Sequence, residues 1–89
     1  MSKELEYIPC ENAENVFSTY DMGMTSALLS VGYKLLTIEK GRGKKALFVF
    51  ETSDELIQDA QKYWAGELDV DAQTYFNSIK NLKNQLYSL

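Results

Sequence analysis

The chain has 89 residues, 45% hydrophobic and 25% charged, with a formal net charge of −4 and no histidine. That length and composition describe one globular domain and argue against disorder. The missing histidines remove the commonest general base and metal ligand, the lone Cys10 excludes an intrachain disulfide, and no apolar run reaches the roughly 18 residues that span a bilayer.

Residues 1–15, MSKELEYIPCENAEN, show no periodicity and are read as an N-terminal arm, in which Pro9 interrupts any regular element. They carry neither the basic nor the apolar region of a secretory signal, so the expectation is a cytoplasmic protein with no membrane contact. Residues 16–89 are read as a single α+β domain. Val16–Tyr20 is short and rich in β-branched and aromatic residues, which predicts a strand. Asp21 then has the character of a helix cap. Met24, Ala27, Leu28 and Val31 follow at helical spacing, and Gly32 supplies a left-handed stop, which predicts a helix over 22–31.

Tyr33–Lys40 and Lys45–Glu51 read as two strands joined by Gly41-Arg42-Gly43-Lys44, whose glycines suit a hairpin turn. Ala46 to Phe50 is continuously apolar, as expected of a strand covered on both sides, so the third strand belongs in the middle. Thr52-x-x-Glu55 fits a capping box opening a second helix, with Leu56, Ala60, Tyr63 and Trp64 as its buried stripe and Gly66 as its end. Adjacent rings at Tyr63 and Trp64 do not both fit inward; Trp64 is expected in the core, and an exposed ring there would suit stacking or a dimer contact. A third helix is expected after Asp71, burying Phe76, Ile79, Leu82 and Leu86. The order is β-α-β-β-α-α. The helix linking strands 1 and 2 predicts that they run parallel, and a central strand 3 predicts the order 1-3-2.

Two polar features stand out. Of nine basic residues, Lys40, Arg42, Lys44 and Lys45 crowd into the hairpin. The plain reading is a solvated turn that discourages edge pairing; the functional one is a basic finger on phosphate. It is not a nucleotide-binding loop, because no Gly-Lys-Ser/Thr ending precedes a helix. The last helix bears Asn77, Lys80, Asn81, Lys83 and Asn84 with almost no carboxylate. A merely solvated helix usually mixes Glu with Lys, and Asn is a side chain that hydrogen-bonds base edges. A partner subunit covering that face is the competing account. Glu67, Asp69 and Asp71 alternate but lack the glycine and the closing acid of a calcium loop. No metal, cofactor or catalytic residue is assigned from the sequence, and an enzyme ranks last among the readings.

Three stretches resemble a known family: Thr19-Tyr20-Asp21 entering a helix that ends Val31-Gly32-Tyr33, the strand Leu47–Glu51, and Tyr63-Trp64-Ala65-Gly66-Glu67-Leu68 followed by Val70-Asp71-Ala72. Over Phe17–Tyr87 the chain resembles domain of unknown function 5659. The resemblance implies a bacterial, archaeal, phage or mobile-element setting and transfers no site residues. Two expectations follow for function. One is a non-catalytic nucleic-acid-binding accessory domain using Lys40, Arg42, Lys44, Lys45, Asn77, Lys80, Asn81, Lys83 and Asn84. The other is a protein-interaction module or homodimer.

Overall fold

The computed structural model describes residues 15–40 and 45–88. Among them the elements run β1 (Val16–Thr19), α1 (Met22–Ser30), β2 (Leu35–Lys40), β3 (Ala46–Glu51), α2 (Asp54–Ala65) and α3 (Ala72–Ser88). This is the expected β-α-β-β-α-α order in an α+β fold. The arm, apart from Asn15, and the turn Gly41–Lys44 lie outside the described residues.

The sheet order is β1-β3-β2. β1 pairs antiparallel with β3, Val16 opposite Glu51 and Thr19 opposite Phe48. β2 pairs antiparallel with the other edge of β3, from Leu35 opposite Phe50 to Lys40 opposite Ala46, with a bulge at Leu36. β1 and β2 therefore point the same way, as the intervening helix requires, and β3 separates them.

Side chains alternate across a strand, so Ala46, Phe48 and Phe50 share one face of β3 while Leu47 and Val49 share the other. The first set packs with Met24 and Leu28 of α1, Leu56 and Ala60 of α2, and Leu82 of α3. All three helices thus contribute to a core on one face of the sheet.

Chain direction sets which ends of the helices meet. β1 leads to the hairpin end of the sheet, where the Asp21 carboxylate accepts from the Met24 amide (3.1 Å) and starts α1. α1 runs back to the opposite end and stops in a double hydrogen bond: the Gly32 amide donates to the Leu29 carbonyl and the Tyr33 amide to Leu28, both at 3.1 Å. Gly32 has φ +111°, where a side chain would be strained. α2 returns to the hairpin end, and α3 begins there, with the Tyr75 hydroxyl facing the Gly23 carbonyl (3.5 Å). Gly23 is small for a reason of space, because a Cβ there would come within 2.5 Å of the Tyr63 hydroxyl.

Three details differ from the sequence expectation. The cap of α2 is Ser53, whose hydroxyl accepts from the Leu56 amide (3.0 Å), rather than Thr52. Thr52 is tied instead to the segment just before β1, its amide donating to the Asn15 carbonyl (3.1 Å). Trp64 is 69% exposed instead of buried, and Phe76 is 58% exposed. In each case a neighbour takes the inward position: half-buried Tyr63 beside Trp64, and half-buried Tyr75 beside Phe76.

Candidate functional site

α3 is held at its start by Asp71, whose carboxylate accepts from the Thr74 amide (2.9 Å) and hydroxyl (2.8 Å). These donors hold the Asp71 carboxyl below its ordinary range. From Ala72 to Ser88 the helix contains no Asp or Glu. Its inward side is Leu82, with Tyr75, Ile79 and Leu86 half-buried beside it. That orientation decides everything on the outer surface.

Phe76, Lys80, Lys83 and Tyr87 recur at i, i+4, i+7 and i+11, so they form one stripe about 16 Å long. All four are exposed, Tyr87 by 84%. The Lys80 ammonium sits 5.4 Å from the Phe76 ring centroid, within cation–π range. Asn77 and Asn84 lie on the adjacent line, both exposed. Asn81 turns toward β2 and lines a groove of about 810 Å³ with Lys34, Leu36, Thr37, Ser78 and Gln85.

The expected α3 residues are thus gathered on one helix, with Asn81 facing the groove and the others facing outward. Lys40 is exposed at the hairpin end of β2, the strand that forms the other wall of that groove. Lys45 turns the other way, its ammonium 5.4 Å from the Tyr20 ring centroid on the β1 side. Arg42 and Lys44 lie outside the described residues.

Sequence reasoning missed Phe76 and Tyr87 as surface groups. The signal was present in their spacing with Lys80 and Lys83, but Phe76 also fits the periodicity of the buried side. Trp64 is a second exposed aromatic; it lines a recess of about 300 Å³ with Phe17, Ser18, Thr19, Tyr20 and Met24.

The most strongly shifted phenol is structural in character. Tyr33 donates to Asp59 Oδ2 (2.8 Å), and burial, that hydrogen bond and the Asp59 and Glu55 charges push it up to about 12. Burial, then the Asp21 charge, raises Tyr63 as well. The Tyr33 phenol is thereby held as a hydrogen-bond donor to Asp59.

The family model of domain of unknown function DUF5659 matches residues 14–88. No curated protein and no solved structure matches the chain.

Proposed function

The chain belongs to the family described as domain of unknown function DUF5659, and from that premise we propose that it is a non-catalytic nucleic-acid-binding accessory domain acting in the cytoplasm in a prokaryotic, phage or mobile-element setting. The observation that carries this reading is the acid-free outer surface of α3, with Lys80 and Lys83 set between the exposed rings of Phe76 and Tyr87. Lysines hold phosphates, and exposed rings stack on unpaired bases. Asn77 and Asn84 add hydrogen-bonding groups beside the stripe, Asn81 adds one in the groove, and Lys40, Arg42 and Lys44 supply a second cationic contact, which Lys45, facing Tyr20, extends toward the β1 side. The aromatic spacing favours a single strand over a duplex, in which the bases are already stacked. All thirteen carboxylates lie outside α3, so the net charge of −4 restrains nonspecific affinity without placing an acid on that helix.

The test is fluorescence anisotropy of a labelled oligonucleotide, offered single-stranded and as duplex, at low salt. Binding of the single strand is expected, weakening as salt rises. Lys80→Ala with Lys83→Ala should flatten the slope of log K against log salt by about 1.4 for a single strand. Phe76→Ala should cost about 1–3 kcal/mol of affinity. No anisotropy change with either form overturns the proposal.

One observation favours a second reading, a protein-interaction module. Trp64 and Tyr20 are exposed around the recess on the β1 side, and exposed aromatics are the residues interfaces use most. Light scattering on the same samples separates the two. A dimer that does not bind the oligonucleotide supports this second reading.

A further inference from the structure

We infer that the groove between β2 and α3 binds an extended acidic peptide, which adds to the sheet as a strand beside β2. Among the described residues β2 pairs with β3 alone and forms one edge of the sheet. One row of its backbone N–H and C=O groups therefore faces outward, a template for another strand. Four successive residues, Leu35 to Ile38, line the groove. Neighbours on a strand point to opposite faces, so a surface that touches all four borders the edge of β2 and not one of its faces. The bulge leaves Leu36 55% exposed at this edge. From Thr37 to Lys40 the register is regular.

The opposite wall is chemically matched to a strand. α3 turns Ser78, Asn81 and Gln85 into the groove, at the i, i+3, i+7 spacing of one helical line. An inserted strand has two rows of peptide groups. β2 takes one row, and the side-chain amides of Asn81 and Gln85, each donor and acceptor like a peptide group, face the other. Half-buried Leu29, Leu35 and Ile38 give the groove an apolar floor, and its volume of about 810 Å³ is that of a ligand site. Charge selects the occupant. Lys34 is the one charged side chain among the described residues that line the groove, and no carboxylate lines it. Exposed Lys40 ends β2 on the face that carries Ile38, while Glu39 lies on the other face, opposite Leu47. Asp59, near the Tyr33 end, is engaged by the Tyr33 hydroxyl. Lys34 and Lys40 span at most about 20 Å of strand, the length of a peptide of about seven residues. An acid at each end of such a peptide meets a lysine, and this complementarity fixes its register.

The test titrates the end-blocked peptide Glu-Val-Thr-Val-Thr-Val-Glu into the intact, isotope-enriched chain and follows its amides by NMR. Shifts are expected at the backbone amides of Leu36 to Lys40 and the side-chain amides of Asn81 and Gln85, with slowed hydrogen exchange at alternate β2 residues. Asn81→Ala with Gln85→Ala should weaken binding about tenfold. Lys34→Glu should lower the affinity for this peptide and raise it for the peptide with Lys in place of Glu. All three positions are exposed, and the same spectra report that the variants remain folded. No shift at β2, equal affinity of the intact chain for the two peptides, or unchanged binding by the Asn81→Ala, Gln85→Ala variant overturns the inference. The groove shares Asn81 and Lys40 with the surface proposed for nucleic acid, so a single-stranded oligonucleotide is titrated as well. The same shifts with the oligonucleotide would make the groove part of that surface. The same shifts on concentrating the chain alone would make a second copy the occupant. Outward β2 amides protected in the dilute chain before any peptide is added would mean that the chain fills its own groove. Each of these three results also overturns the inference.

Discussion

Ser26 is wholly buried in α1, and its hydroxyl has no hydrogen-bond partner. Its neighbour Thr25 is equally buried but donates to the Asp21 carbonyl (2.9 Å). An unpaired buried hydroxyl costs stability, and Ala is the better helix former. Ser26→Ala is therefore expected to stabilise the domain by about 1 kcal/mol, a rise in Tm of roughly 4–8 °C, read by thermal denaturation. A fall in Tm would show that the hydroxyl is used. At this scale the sequence was legible where a residue's own chemistry decides its place. Asp21 and Asp71 cap helices, and Gly32 and Gly66 take left-handed conformations. It was not legible where two like residues compete for one position. Tyr63 and Trp64, or Tyr75 and Phe76, offer nearly equal apolar surface, and the ring that goes inward is chosen by the space between helices.

Elements are tied together by few polar contacts, and the Tyr33–Asp59 bond is one of them. It joins the connection after α1 to the middle of α2. Because the folded-state pKa of Tyr33 lies near 12 and the ordinary value is 10.0, the native state holds its proton where the unfolded chain has lost it. The linked stability is complete below about pH 10 and disappears as pH rises toward 12. Tyr33→Phe should lower stability by about 1 kcal/mol at neutral pH and remove that part of the alkaline decline, measured as denaturant midpoints from pH 8 upward. An unchanged alkaline slope in the variant would dissociate it from Tyr33. The helix lengths and the hairpin strands were readable from periodicity. The start of α2 moved by one residue because Thr52 is still pairing with Asn15, a contact between segments far apart in the chain that local spacing does not encode.

The whole molecule stands on one core between the sheet and three helices, to which α3 commits Leu82 alone as a fully buried side chain. Leu82→Ala should cost about 2–5 kcal/mol, a large share of the stability of a domain this small. Phe76→Ala, six residues away on the exposed stripe, should change it little. Equal losses in chemical denaturation would contradict the assigned rotation of α3 and with it the surface proposed to bind nucleic acid. The order β1-β3-β2 was legible because the unbroken apolar run Ala46–Phe50 suits the most sheltered place in the sheet, between two other strands. Composition and periodicity therefore determined which segments become helix or strand, which strand lies inside, and that α3 has a cationic, carboxylate-free surface. Only the tertiary structure decided that Phe76 and Tyr87 flank its lysines and that Lys45 turns to Tyr20 instead of α3. Periodicity records which side of an element is apolar, whereas the neighbour that a side meets depends on how the elements are rotated against one another, and that is settled by packing over the whole core.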